Sequence, residues 1–336
     1  MVFWIALALG AACSAPTTRI GLALGVPEGG GEEEYLRALR QQIRLGLDAG
    51  NLSLKWDEFE AQSGKPLEDG LGVARFAGQR LVLTIATIDT VRRRLPKDVE
   101  GLAWDDSRLA ERFEAFLGKV LARAKPYVSW LSLGNEVDPY LASHPDEVEP
   151  YLRFLARARQ VVRRLAPGTA VGVTVTCRDS QKRPDLARRL QAGMDVTIAT
   201  YYPLDGFRPT VGSVDRDFAF LLRLAGDRPL VLQEIGCPSS PLVGSSEDLQ
   251  AGFVRSVFEQ LGLHGGRIPA AVFFAQTDFP SSLLGVLEGY YGIRDEQFRA
   301  FLGSLGLLDA KGRPKKAWRV FAENMARLRP VGGEYL

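Results

Sequence analysis

Eight short apolar runs, each followed by a segment that is polar or has helical periodicity, constrain the fold of this chain more than any other feature of its sequence. The runs cover residues 18–26, 51–56, 81–86, 130–136, 171–176, 195–202, 230–234 and 270–275. Runs of this length rich in Val, Ile and Leu are typical of strands buried on both faces, as in parallel sheets. Their alternation with helices predicts an α/β fold, a closed (β/α)8 TIM barrel that forms a single domain.

A doubly wound open sheet is the main alternative to the barrel. Such nucleotide-binding folds carry a Gly-x-Gly-x-x-Gly turn after the first strand and an acidic residue further on. The glycine-rich segment 25–31 lacks both features. No low-complexity linker divides the chain, so we expect one barrel domain over residues 16–330, with a leader at 1–15 and a short tail at 331–336.

The charge composition narrows the possible partners. Of 336 residues, 42 are Lys or Arg and 40 are Asp or Glu, which gives a net charge of +2. This balance, without a basic patch, argues against nucleic acid as a ligand. Only two histidines are present, which argues against a histidine-based zinc site and a Ser-His-Asp triad. We expect a monomer without metal or organic cofactor; an oxygen-only magnesium site at Asp89, Glu136 and Glu234 is the alternative.

The first residues have the pattern of a targeting segment. Residues 2–9 are apolar, and the small residues Gly10, Ala11 and Ala12 precede Cys13. This arrangement resembles the lipobox of bacterial lipoproteins, although an aliphatic residue is usual where Gly10 stands. The resemblance implies a protein exported to the bacterial cell envelope and anchored by a lipid on Cys13, or secreted. A buried first strand or helix is the other interpretation.

Two cysteines remain beyond the leader. Cys177 and Cys237 each follow a predicted strand. In an exported protein they could form a disulfide, and two free thiols are the alternative.

Polar and aromatic side chains gather at the ends of the predicted strands. Because the carboxyl ends of barrel strands share one mouth, these side chains are expected to face a common cleft. Carboxylates and amides bind hydroxyl groups and aromatic rings stack on sugars, so the set favours a carbohydrate ligand. It comprises Lys55, Trp56, Asp57, Asp89, Asn135, Glu136, Asp138, Arg178, Asp179, Tyr201, Tyr202, Glu234, Gln276 and Asp278.

Two of these strand ends resemble the clan A glycoside hydrolases, which are retaining enzymes on α/β barrels. Residues 133–136, Leu-Gly-Asn-Glu, are similar to the Asn-Glu pair that ends strand four in that clan, and Glu234 matches the glutamate that ends strand seven. The Tyr-Tyr-Pro motif at 201–203 is similar to that of the endo-galactanase-like families of this clan. The motifs also resemble those of its cellulase-like families.

The resemblance implies a double displacement with Glu136 as acid/base and Glu234 as nucleophile. A retaining mechanism needs two carboxyl groups roughly 5–5.5 Å apart across the sugar. Asn135 would bind the hydroxyl next to the reacting carbon, and Tyr201 or Tyr202 would hold Glu234 charged, depending on strand register. Trp56 and Gln276 complete the expected substrate-binding residues, and a core position is the alternative for Trp56.

Two features depart from that clan. Phe273, Phe274, Ala275 and Gln276 stand where those enzymes usually place a tryptophan at the end of strand eight, and no arginine is evident near strand two. The expected function is therefore a retaining hydrolase of β-linked poly- or oligosaccharides, with a non-hydrolytic carbohydrate-binding lipoprotein on the same barrel as the alternative. The separation and orientation of the two glutamates distinguish these functions.

Overall fold

The computed structural model describes residues 18–329 as one barrel of parallel strands surrounded by helices, which confirms the predicted fold. The leader with Cys13 and the tail from residue 330 lie outside the described residues. The eight strands are β1 (Arg19–Leu22), β2 (Ala49–Lys55), β3 (Arg80–Ala86), β4 (Val128–Ser132), β5 (Ala170–Gly172 and Thr174–Thr176), β6 (Thr197–Tyr201), β7 (Leu230–Ile235) and β8 (Ala270–Phe273).

Hydrogen bonding between neighbouring strands closes the barrel. Each strand pairs in parallel with the next, and β8 also pairs with β1, where Arg19 lies opposite Ala270. β5 is in two parts separated by Val173, of which the first pairs with β4 and the second with β6. All eight predicted strands are present, with ends that differ from the predicted ones by a few residues.

Helices cover the outside of the barrel and part of its mouth. Asp106 caps one of them by accepting a hydrogen bond from the Arg108 backbone N–H. Within the described residues the helices are α1 (Glu32–Arg44), α2 (Trp56–Ala61), α3 (Lys65–Ala77), α4 (Ser107–Ala124), α5 (Val137–Ser143), α6 (Val148–Leu165), α7 (Cys177–Lys182), α8 (Pro184–Gln191), α9 (Val214–Ala225), α10 (Glu247–His264), α11 (Ser281–Tyr291), α12 (Glu296–Leu302) and α13 (Lys316–Leu328).

Apolar side chains alternate between two environments along each strand. In β3, Val82 belongs to the apolar layer inside the barrel with Trp130 and Ile198. Its neighbours Leu81 and Leu83 pack in the layer between strands and helices. Because successive side chains of a strand point to opposite faces, a strand buried on both faces is apolar throughout. This burial explains the continuous apolar runs of the sequence.

A pair of helices between β8 and α13 was not predicted. These helices, α11 and α12, form what we call the helical insertion. The apolar residues of α11 are spread around the helix, and of them only Leu284 is buried, so the sequence shows no amphipathic period there. The insertion lies over the mouth of the barrel, and this position makes it part of the site described below.

The two cysteines of the barrel are separate. Cys177 and Cys237 are buried, free thiols, so the disulfide alternative is not realised in the structure. Over residues 18–329, no helix combines the length and the apolar character that a membrane crossing requires.

A buried ion pair ties the end of β8 to the closing helix. The Lys315 Nζ donates to Asp278 Oδ1 at 2.6 Å, and both side chains are buried. Burial raises the pKa of Asp278 to about 6 and lowers that of Lys315, and the attraction between the two charges opposes both shifts. Asp278 also accepts a hydrogen bond from the Gly306 backbone. Asp278 therefore stabilises the fold through Lys315 and Gly306 and does not bind substrate at the mouth of the barrel.

We expect Lys315→Ala to lower the free energy of unfolding by about 3 kcal/mol, because the Asp278 carboxylate would remain buried without its cation. Urea unfolding at pH 8, where Asp278 is ionised, measures the loss. Lys316→Ala is the matched control: it removes an exposed pair with Asp248 and should cost about 0.5 kcal/mol. Equal losses in the two variants would contradict this account.

Candidate active site

The turn that follows β4 places Asn135 and Glu136 at the mouth of the barrel. Gly134 has a φ of +131°, and a Cβ there would lie 2.5 Å from the Tyr151 hydroxyl and from Val137 Cγ1, so only glycine fits. Glu136 has a φ of +46°, in the left-handed region that few non-glycine residues adopt. Backbone strain of this kind persists only where the surrounding structure holds it in place, and it is common at functional sites.

A bulge near the end of β7 changes the direction of Gln233 and Glu234. Leu232 pairs with Ala199 and Glu234 pairs with Thr200, so β7 has one more residue than β6 at this point. In a regular strand two adjacent side chains point to opposite faces, and a bulge removes that restriction. Gln233 is fully buried inside the barrel, and Glu234 is half-buried at the mouth.

The Gln233 amide connects four parts of the barrel. Its Oε1 accepts hydrogen bonds from Thr84 Oγ1 of β3 at 2.9 Å and from Thr174 Oγ1 of β5 at 2.5 Å. Its Nε2 donates to Asn135 Oδ1 at 2.9 Å, and Asn135 Nδ2 donates to Asp89 Oδ1 at 2.9 Å. Both ends of the Asn135 amide are therefore engaged, which fixes its orientation beside Glu136.

The two candidate catalytic carboxyl groups have different partners. Glu136 accepts hydrogen bonds from Thr90 Oγ1 at 2.9 Å and from Thr200 Oγ1 at 2.7 Å. Glu234 accepts a hydrogen bond from the Tyr202 hydroxyl at 2.7 Å. Thr200, which contacts Glu136, is also the register partner of Glu234 across two adjacent strands, and adjacent strands lie about 4.8 Å apart. Thr200 therefore links the two glutamates, which lie close enough for the charge of Glu136 to raise the pKa of Glu234.

Burial and mutual repulsion favour protonation of this pair. Burial raises the pKa of Glu136, the hydrogen bonds from Thr200 and Thr90 oppose the rise, and the charge of Asp89 adds to it. Burial also raises the pKa of Glu234, and the charge of Glu136 raises it further. Since two close carboxylates cannot both ionise cheaply, the pair retains one proton over a pH range in which isolated glutamates lose theirs.

Both glutamates line one pocket of about 350 Å³, which we call the catalytic lobe. Its polar end consists of Thr90, Asn135, Glu136, Tyr202, Glu234 and Tyr291. Its apolar wall includes Leu283 and Leu287 of α11, Phe298, Phe301 and Leu302 of α12, and Phe274 from the end of β8. The helical insertion therefore forms much of the wall, and Phe274 lines the lobe from the strand end where a tryptophan was expected.

A second pocket of about 430 Å³ adjoins the first, and we call it the outer lobe. The lining residues that the two lobes share are Thr90, Glu136, Tyr202 and Leu204. Glu234 lines the catalytic lobe and not the outer lobe. The outer lobe is more polar, with two charged pairs along its wall, Arg178 with Asp205 and Lys182 with Asp179. Glu136 thus lies between the lobes.

Three of the predicted substrate-binding residues lie elsewhere. Tyr201 is fully buried and its hydroxyl donates to Asp217 Oδ2, because the strand register turns it outward to the helices and turns Tyr202 to Glu234. Trp56 begins α2 and packs against Phe116 in the outer core.

Gln276 is the third of these residues. It is fully buried, and its Nε2 donates to the Ala38 carbonyl and to Gln41 of α1. Because these contacts hold the side chain against α1, the prediction that Gln276 binds substrate is wrong.

The structure adds site residues that the sequence did not indicate. Thr90 and Thr200 hold Glu136. Each directly adjoins a residue of the predicted strand-end set, Thr90 next to Asp89 and Thr200 next to Tyr201, so their positions in the sequence carry a signal of the site. Tyr290 could not have been found, since it lies in the unpredicted insertion and donates to Asp89 Oδ2 at 2.6 Å. The Arg94 guanidinium, which lies beyond β3, binds Asp57 and Glu58 and lies near the Tyr290 ring.

The oxygen-only metal site is not supported by the geometry. Asp89 directs one oxygen to Asn135 and the other to Tyr290. Among residues 18–329, no three His, Cys, Asp or Glu side chains are arranged to hold a metal ion.

The fold and the site together define an α/β barrel with a carboxylate pair at the carboxyl ends of its fourth and seventh strands. No protein-family model matches the sequence, and no curated protein sequence matches it. Solved structures do match. A GH5_18 protein from Streptomyces cattleya, in complex with GlcNAc, has a TM-score of 0.71 at 19% identity, over 96% of this chain and 83% of that chain.

Two further matches have the same barrel. An exo-β-1,4-mannosidase from Opitutaceae bacterium strain TAV5 has a TM-score of 0.71 at 18% identity, over 94% of this chain and 60% of that chain. β-Glucuronidase 2 from Bacteroides uniformis has a TM-score of 0.65 at 15% identity, over 94% of this chain and 36% of that chain. At these identities the comparisons establish the fold, a (β/α)8 barrel.

We expect Tyr202→Phe to raise the pKa of Glu234 by about one unit, because the lost hydrogen bond stabilises the charged carboxylate. A carbon-13 NMR titration of protein labelled at the glutamate carboxyl carbon measures the shift, with Glu234→Gln to assign the signal. Tyr201→Phe is the matched control and should leave the Glu234 titration unchanged. A shift in the control and none in Tyr202→Phe would show that the wrong tyrosine was assigned.

Proposed function

We propose that this protein is a retaining β-glycosidase that cleaves poly- or oligosaccharides by double displacement. The observation that carries the proposal is the placement of Glu136 and Glu234 in one pocket, with Thr200 hydrogen-bonded to Glu136 and paired in register with Glu234. A double displacement needs this arrangement, because one carboxyl group must attack the sugar while the other protonates the leaving oxygen.

The hydrogen bonds support Glu234 as nucleophile and Glu136 as acid/base. The Tyr202 phenol donates to Glu234 and stabilises its charged form. The partners of Glu136 are threonine hydroxyls, which can rotate and accept when the carboxyl carries a proton. In the first step, Glu234 attacks the anomeric carbon and Glu136 protonates the departing oxygen. In the second step, Glu136 takes a proton from a water molecule whose oxygen attacks the anomeric carbon, and the bond between that carbon and Glu234 breaks, which releases the sugar.

The position of Glu136 between the lobes suggests where each half of the substrate binds. The sugar attacked by Glu234 must occupy the catalytic lobe, since Glu234 lines that lobe alone. The leaving group then extends past Glu136 into the outer lobe. Asn135 lies beside Glu136 in the catalytic lobe, where it can reach a hydroxyl of the attacked sugar.

A neutral sugar fits the catalytic lobe better than a uronic acid. Among the described residues that line this lobe, none is Lys, Arg or His. A uronate carboxylate would therefore be buried beside two glutamates without a cation, which is costly. The similarity to a mannosidase makes β-mannosides the first substrates to test.

A non-hydrolytic carbohydrate-binding protein is the second candidate. That function would be favoured if the two glutamates faced away from each other. Because both line the catalytic lobe, their geometry supports hydrolysis instead.

We expect Glu234→Ala and Glu136→Ala each to lower kcat/KM at least about 100-fold, because each removes a group that acts in the transition state. The assay uses 4-nitrophenyl β-glycosides of mannose, glucose and glucuronic acid, with the highest rates on the neutral sugars. Azide should restore turnover of Glu234→Ala and yield the glycosyl azide of inverted configuration.

Glu296→Ala is the control for these variants, since Glu296 belongs to the insertion but is exposed. It should retain wild-type rates. Wild-type rates in Glu136→Ala or Glu234→Ala would refute the mechanism, and binding of oligosaccharides without any hydrolysis by the wild-type protein would favour the second candidate.

We also propose that the protein is exported and anchored to the cell envelope through a lipid on Cys13. The support is the apolar segment 2–9 followed by three small residues and the cysteine. Radiolabelled palmitate supplied to a bacterial host should be incorporated into the wild-type protein and not into Cys13→Ala. Equal labelling of both proteins would refute the anchor.

A further inference from the structure

The apolar wall of the catalytic lobe is unusual for a site that binds only sugar hydroxyls. Leu283, Leu287, Phe298 and Leu302 present carbon atoms to the lobe and offer no hydrogen bond. A sugar hydroxyl buried against them would lose its bonds to water without replacing them. The part of the ligand that contacts this wall is therefore expected to be apolar.

The polar groups of the lobe are confined to its other end and are largely engaged. Asn135 bonds to Asp89 and Gln233, Thr90 to Glu136, and Tyr202 to Glu234. Together with the two glutamates, they can hold one sugar ring. Among the described residues by which the insertion lines the lobe, Tyr291 alone carries a polar group.

Further apolar side chains are exposed on the insertion and on the turn that contacts it. Leu283 is 38% exposed and Val286 67% exposed on α11, and Ile293 follows at 37%. Leu242, 58% exposed, lies on the short 3-10 turn that contacts α12. These residues belong to or adjoin the same helical insertion that forms the apolar wall, and an exposed apolar surface that adjoins a pocket marks a binding site.

We propose that the natural substrate carries an aliphatic chain, covalently attached to the glycoside that is cleaved, and that this chain binds along the helical insertion. The inference rests on the proposed function, since it assigns the sugar to the polar end of the catalytic lobe. The chain is an acyl group esterified to the attacked sugar, because that sugar occupies the catalytic lobe, whereas the leaving group extends into the outer lobe, which no residue of α11 or α12 lines.

The test measures binding separately from hydrolysis. Calorimetry with the Glu234→Gln variant gives the affinity for methyl, butyl and hexyl β-glycosides of mannose and glucose. In this first arm we expect no gain with chain length, because the leaving group lies in the outer lobe. In the second arm, the 6-O-hexanoyl ester of each 4-nitrophenyl β-glycoside is compared with the unesterified compound. Because each buried methylene adds about threefold to fourfold in affinity, we expect the ester to bind at least about tenfold more tightly.

A gain in the second arm places the chain on the attacked sugar, and a gain confined to the first arm would place it in the leaving group and overturn the inference. Leu283→Ser with Leu287→Ser, introduced into the same background, should reduce the gain in the second arm to less than about twofold. Leu263→Ser with Leu328→Ser is the matched control, since both leucines are exposed on α10 and α13; it should keep the full gain.

The outcomes separate this inference from the proposed function. Affinity that is independent of chain length in both arms would overturn the inference, whether or not the wild-type protein hydrolyses glycosides. A gain that survives the Leu283 and Leu287 substitutions would also overturn it. A chain-dependent affinity without hydrolysis by the wild-type protein would overturn the proposed function and retain the apolar subsite.

Discussion

The buried amide of Gln233 is the contact on which the geometry of the mouth depends. It joins β3, β5 and β7 to the turn after β4, and each of its polar atoms has a partner. A fully satisfied polar group in a low-dielectric interior is rigid, because any movement would leave a buried donor or acceptor unpaired. The hydrogen bond from Gln233 fixes Asn135 as well, and Glu136 is the next residue in the chain. The orientation of the candidate acid/base is thus set inside the barrel, below the pocket.

Local backbone irregularity at two strand ends brings the reacting groups together. The left-handed conformation of Glu136 and the bulge at Gln233 each depart from regular structure. Each costs free energy, and the close packing around Gly134 and the hydrogen bonds of Gln233 hold them in place. The helical insertion adds a third constraint, since Tyr290 bonds to Asp89, which bonds to Asn135. The insertion, which forms the wall of the pocket, is therefore connected by hydrogen bonds to Asn135, the residue beside Glu136. Because of this connection, the position of the insertion and the orientation of the Asn135 amide depend on each other.

Much of the barrel could be predicted because strands buried on both faces leave a clear apolar signal. The predictions for the residues at the strand ends are only partly confirmed. Glu136, Glu234 and Asn135 lie at the mouth, but Tyr201, Trp56 and Gln276, which also follow predicted strands, point to the helices. The end of a predicted strand locates the mouth of the barrel and does not determine the direction of a side chain there. That direction depends on strand register, on the residue where a strand becomes a helix, and on which helix covers it.

The sequence by itself determined the number of strands, the closed barrel and the pair of glutamates at strands four and seven, because these follow from local hydrophobicity and from the order of elements along the chain. Only the tertiary structure decided that Tyr202 and not Tyr201 reaches Glu234, that Thr90 and Thr200 hold Glu136, and that α11 and α12 form an apolar wall over the mouth. These features join residues far apart in the chain, and their energies come from packing and desolvation in the folded protein. A local pattern of residue types carries no information on such contacts.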